Sequence, residues 1–213
     1  ASSGVQKGTF DFSPRLKPKG TYCVFCFPLC LHSPLIYDRI SLEILDNFEK
    51  IRRNIMYVKV FTDGAARGNP DGPGGYGAVI QYRDGTGKVY EKELSGGFVR
   101  TTNNRMELLA VIKALEALNR PCEIDLYSDS SYVIKAFNEH WIEGWQRANW
   151  RKGRPNEVKN IDLWQRLLSV AAPHKITWNW VKGHAGHPEN ERCDRLATSA
   201  ADGGNLQVDP GIK

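Results

Sequence analysis

No apolar run in this 213-residue chain is long enough to cross a bilayer. The longest, Tyr22 to Leu31, is broken by Pro28 and falls well short of the roughly 20 residues that a spanning helix needs. Cysteine is scarce and odd in number: five residues, three clustered (Cys23, Cys26, Cys30) and two isolated (Cys122, Cys193). That count argues against a secreted disulfide framework and for a reducing compartment, so the expectation is a cytoplasmic protein without membrane attachment. Neither sign of charge dominates. Against 29 Lys+Arg stand 24 Asp+Glu, and a net charge of +5 selects no partner by itself. Internal repeats and low-complexity tracts are missing too. What is left, 41% hydrophobic and 25% charged, is ordinary globular composition. The length suits one domain of about 150 residues with an extension, expected as a monomer.

The charge is unevenly placed. Residues 1–55 hold eight Lys/Arg and five Asp/Glu, and so most of the excess. This extension shows no domain signature, and Met56 stands directly before the first clear strand, so the extension is expected to be dispensable. Its Cys23-x-x-Cys26-x-x-x-Cys30 run has no fourth ligand nearby and makes a poor metal site. A second basic stretch covers 144–160, where Arg147, Arg151, Lys152, Arg154 and Lys159 face one acid, Glu157. Trp141, Trp145 and Trp150 are interleaved with it. Such a segment suits a nucleic-acid backbone, and equally a solvated loop whose tryptophans pack.

From Met56 the periodicity predicts a strand over 57–62, then a Gly/Pro-rich segment to Gly77 read as a tight link. A hairpin pair follows over 78–83 and 89–97. Met106, Leu109, Ile112 and Leu115 recur at helical spacing. Further elements are a strand over 123–128, helices over 130–137 and 161–171, a strand over 175–182, and a closing helix from Pro188 to about Ala201. The order implies a mixed sheet covered by helices, an α/β fold. Residues 203–213 are left as a tail.

Four acids occupy element ends: Asp63, Glu107, Asp129 and Asp194. If the first and fourth strands are neighbours, Asp63 and Asp129 emerge side by side, and crowded carboxylates call for a cation. Magnesium prefers such an oxygen-only shell, and two ions about 4 Å apart serve phosphodiester hydrolysis. Each acid also has a plain explanation. Glu107 completes a capping box with Asn104, Asp129 caps a helix, Asp63 serves a turn with Gly64, and Asp194 pairs with Arg192 or Arg195. His184, His187 and Cys193 make an incomplete zinc set; a histidine on a glycine-flanked loop better suits proton transfer.

Five segments then speak together: FTDGAARGNPDGPGGYGAV (61–79), RTTNNRMELLAVIKALEAL (100–118), YSDSSYVI (127–134), VKNIDLWQRL (158–167) and WVKGHAGHPENERCDRLA (180–197). In this order, over about Met56 to Asp202, the chain resembles type 1 ribonuclease H of the bacterial kind. The resemblance implies a ribonuclease H-like fold, a five-stranded mixed sheet of order 3-2-1-4-5 flanked by helices. It implies endonucleolytic cleavage of the RNA strand of RNA/DNA hybrids with two Mg2+ ions, Mn2+ as a substitute, leaving 5'-phosphate and 3'-hydroxyl ends. Asp63, Glu107, Asp129 and Asp194 fall on the family's metal-binding acids, and His184 on its loop histidine. Asn69, Asn103 and Asn104 match minor-groove contacts that sense the 2'-hydroxyl, and Thr102 a DNA-phosphate contact. Ser131 stands where many relatives carry Gln. The segment 141–159, with Trp141, Arg147, Trp150, Arg151 and Lys152, resembles the family's basic protrusion, which grips the DNA strand. Nothing in 1–55 resembles the hybrid-binding domain of eukaryotic relatives. Two competing functions share the fold: a binding module without catalysis, and a nuclease that cuts DNA.

Overall fold

The computed structural model describes residues 56–68, 72–151, 158–183 and 185–212. The extension with its cysteine cluster, together with Asn69, Lys152 and His184, lies outside the described residues. The sheet is built on β1 (Met56–Ala66), which alternates buried Val58 and Val60 with more exposed Tyr57, Lys59 and Phe61, the period of a strand covered on one face. It pairs antiparallel with β2 (Gly72–Arg83), which pairs antiparallel with β3 (Val89–Thr101). On its other side β1 runs parallel to β4 (Cys122–Ser128), and β4 parallel to β5 (Lys175–Trp180). The order β5-β4-β1-β2-β3 is the one the resemblance implies. A short sixth strand, β6 (Leu206–Gln207), extends it by pairing parallel with Gly97 and Phe98 of β3. Two of the residues set apart as a tail, Leu206 and Gln207, are therefore part of the sheet.

One face is covered by α1 (Asn103–Glu116), whose Met106, Leu108, Ile112 and Leu115 are buried with Val58, Val60, Ile124 and Leu126. The helices α2 (Ser131–Asn138), α3 (Trp141–Arg147) and α4 (Ile161–Ala171) complete this layer around the fully buried Trp164. Among the described residues no helix is long and apolar enough to cross a membrane.

The opposite face carries α5 (Pro188–Ala201), and this helix explains the longest departure from the sequence reading. The glycine-rich segment is a strand, not a link: pairing continues through Asp63 with Gly77, Gly64 with Tyr76 and Ala65 with Gly75. Glycine is poor in a strand on propensity alone. Here its missing side chain admits the helix, since a Cβ at Gly77 would stand 2.2 Å from the Cys193 carbonyl oxygen. Backbone cannot swing aside as a side chain can. Gly77→Ala is expected to destabilise the fold by about 3 kcal/mol, measured by urea denaturation.

Candidate active site

Asp63 stands near the end of β1, the central strand, and Asp129 directly follows β4, its parallel neighbour. Parallel pairing brings both carboxylates out at one sheet end. Glu107 reaches them because α1 presses onto β1 at Gly64, where a Cβ would lie 2.3 Å from the Glu107 amide nitrogen. Asp194, in the second turn of α5, comes from the other face. All four acids line one open cleft of about 450 Å³, which Asn103, Arg67, Gly183 and Thr198 also line.

The plain explanations can be checked one by one. The cap of α1 is Thr102, whose hydroxyl accepts from the Arg105 amide at 3.4 Å, so Glu107 takes no part in a capping box. Its carboxylate instead accepts from Asn103 Nδ2 at 2.8 Å and from Ser130 Oγ at 2.5 Å. Ser130 caps α2 in place of Asp129, accepting from the Val133 amide at 3.3 Å. Arg192 gives its guanidinium to Glu91 and Glu93, and no ion pair joins Asp194 to it among the described residues. Only the turn role survives in part, because Asp63 Oδ1 accepts from the Gly64 amide at 2.7 Å.

The acids pay for their crowding electrostatically. Burial first, and then repulsion from Asp129, push the Asp63 carboxyl up to about 7, against the opposing bond from Gly64. Burial also raises Glu107, countered by the bonds from Ser130 and Asn103. Among the described residues no three acidic, imidazole or thiol groups are drawn close enough to enclose an ion as they stand. The donor set fits a hard divalent ion that takes oxygen ligands and keeps part of its water shell. It does not fit zinc, since Cys193 is fully buried and its thiol is pushed far up by burial.

Of the expected substrate contacts, Thr102 and Asn103 are half-buried at the start of α1, and Asn104 and Ser131 are exposed. The basic segment is partly helical, which its loop-like composition did not reveal. Its tryptophans form a chain of rings, with Trp141 to Trp145 at 6.2 Å, Trp145 to Trp150 at 6.4 Å and Trp145 to the buried Trp164 at 5.3 Å. Trp141 and Trp150 thus pack against the core, and the segment's described cations, Arg147, Arg151 and Lys159, are exposed. Two supporting residues escaped the sequence reading. Ser130 was hidden because the sequence reading begins the helix at it, with Asp129 as the cap. Asn190, buried on α5, donates to Asp129 Oδ2 at 3.2 Å from a position remote in the chain.

A family model described as RNase H matches residues 56–202. The ribonuclease H of Lachnoclostridium phytofermentans is 62% identical over 154 residues, covering 72% of this chain and 98% of that relative. The ribonuclease H of Shewanella loihica is 57% identical over 154 residues, covering 72% of this chain and 93% of that relative. Among solved structures, LC9-RNase H1, a type 1 RNase H with the type 2 active-site motif, has a TM-score of 0.64 at 32% identity, covering 74% of this chain and 79% of the other. The N-terminal RNase H domain of a Mycobacterium tuberculosis protein has a TM-score of 0.52 at 28% identity, covering 69% of this chain and 94% of the other.

Proposed function

The chain belongs to the ribonuclease H family, and on that premise we propose that it hydrolyses the RNA strand of RNA/DNA hybrids, with two Mg2+ ions held by Asp63, Glu107, Asp129 and Asp194. The observation that carries this reading is the convergence of four acids, from four separate elements, on one cleft. A bound ion pair supplies charge neutralisation at the phosphate and a water of lowered pKa.

The chain's own residues do the rest. Asp63, near the end of the central strand β1 and the most strongly raised of the four, would hold an ion together with its neighbours across the cleft. Asn103 and Ser130 hold both oxygens of Glu107, and Asn190 holds Asp129, so the carboxylates meet their ions already oriented. Asp194, contributed by α5, would complete the set from the opposite face of the sheet. Water's oxygen forms the new bond to phosphorus while the bond from phosphorus to the 3'-oxygen breaks, leaving a 5'-phosphate and a 3'-hydroxyl. His184 carries the displaced proton; its chain neighbour Gly183 lines the cleft beside Asp129. Asn69, Asn103 and Asn104 read the 2'-hydroxyl from the minor groove, because amides both donate and accept.

The test is an end-labelled hybrid compared with duplex DNA and single-stranded RNA of the same sequence, in Mg2+ and in chelator. The expected result is Mg2+-dependent cutting of the RNA strand in the hybrid alone. Binding without cutting would support a non-catalytic module, and preferential DNA cutting a different nuclease.

A further inference from the structure

Every described side chain lining the cleft is neutral or acidic except that of Arg67. A polyanion entering a cleft with four carboxylates meets repulsion, and bound ions offset it only where they sit. We infer that Arg67 is a phosphate-binding residue, receiving a backbone phosphate of the RNA strand next to the scissile position; this rests on the hybrid-cleaving function proposed above.

Arg67 directly follows the last residue of β1, four residues beyond Asp63. Its backbone is fixed by a bond from its amide to the Pro73 carbonyl at 2.7 Å. Its guanidinium meets Asp202, the cap residue ending α5, through two bonds: Nε to Oδ1 at 3.1 Å and Nη2 to Oδ2 at 2.8 Å. A guanidinium fork that grips a carboxylate with two parallel bonds is equally matched to two oxygens of a phosphate. The pair is open to solvent, with side chains 52% and 56% exposed. Exposed pairs contribute little to stability, so exchanging carboxylate for phosphate costs little. Until that exchange Asp202 holds the guanidinium in place. Arg105, by contrast, is buried and held by Asp162 and Asp209, and Arg192 is held by Glu91 and Glu93.

An ordinary surface ion pair joining β1 to α5 would show the same bonds, and salt dependence separates the two. Binding of a fluorescent hybrid to the full chain is measured by anisotropy in chelator, between about 50 and 200 mM salt. Arg67→Ala is expected to weaken binding roughly tenfold and to flatten the slope of log affinity against log salt by about 0.9, the release of one phosphate contact. Arg67→Lys keeps the slope and loses part of the affinity, because the charge stays and the fork goes. Asp202→Ala keeps the slope and binds at least as tightly as the parent. Parental slope and affinity in Arg67→Ala overturn the proposal. Equal losses in Arg67→Ala and Asp202→Ala overturn it as well, since the ion pair itself would then be what matters. Failure of the underlying function reads differently: the parent would bind the hybrid no better than duplex DNA, and both inferences would fall.

Discussion

Replacing Asp63 by Asn is expected to remove hybrid cleavage by at least about a thousandfold, close to 4 kcal/mol of transition-state stabilisation, while making the metal-free protein more stable. The two effects share one cause. Burial and the neighbouring Asp129 charge hold the Asp63 carboxyl near 7 in the fold, against an ordinary value of 3.8. Between about pH 4 and pH 7 the unfolded chain therefore releases a proton that the folded chain keeps. Folded protein binds more protons in that window, so its stability falls as pH rises through it and stays lowered above it. Asn carries no such charge. In chelator near pH 8 the variant should gain on the order of 2–4 kcal/mol over the parent, with the difference vanishing below about pH 4. Added Mg2+ should restore the parent and leave the variant unmoved. Thermal and urea denaturation across pH check this; a variant less stable than the parent at pH 8 would mean that Asp63 serves mainly as the anchor for the Gly64 amide.

The second large effect lies at the chain's C-terminal end. Arg105, in the first turns of α1, is only 2% exposed, and its guanidinium bonds Asp209 through Nε at 2.7 Å and Nη2 at 2.8 Å, and Asp162 through Nη2 at 2.7 Å. Thr101 Oγ1 and the Gly211 amide add bonds to Asp209. Removing one partner of a buried pair leaves the other charge without compensation, typically at 3–5 kcal/mol. Asp209→Ala is expected to cost about 3 kcal/mol, the lower end, because Asp162 remains. Burial works against the Asp209 charge, but the bonds from Arg105, Thr101 and Gly211 hold its carboxyl below the usual range. Its stabilisation is thus present above the unfolded value and lost as pH falls through the folded one, the opposite slope to Asp63. Denaturation at neutral pH measures the loss; parental stability in the variant would show that Asp162 alone compensates Arg105.

How legible was all this beforehand? Four of the five helices among the described residues followed from periodicity, because each apolar stripe matches one covered face, while the strand order came from the resemblance. The glycine strand did not, since the reason for Gly75 and Gly77 is a helix more than a hundred residues later. The same holds for β6 and Asp209, whose partners are Phe98 and Arg105. The four acids could be named from their positions at element ends, but the capping roles of Glu107 and Asp129 were dismissed only by seeing which hydroxyls do the capping: Thr102 and Ser130. The tryptophans of 141–150 had two readings in sequence, and contact with Trp164 favours packing for the rings while leaving Arg147 and Arg151 facing solvent.

The most direct test of the account is a crystal of the full chain with Mn2+ and a hybrid whose scissile linkage resists hydrolysis, examined for anomalous scattering. Two peaks should appear in the cleft, both in contact with Asp63 and shared among Glu107, Asp129 and Asp194. A map with the hybrid in place and no ion touching Asp63 would contradict it.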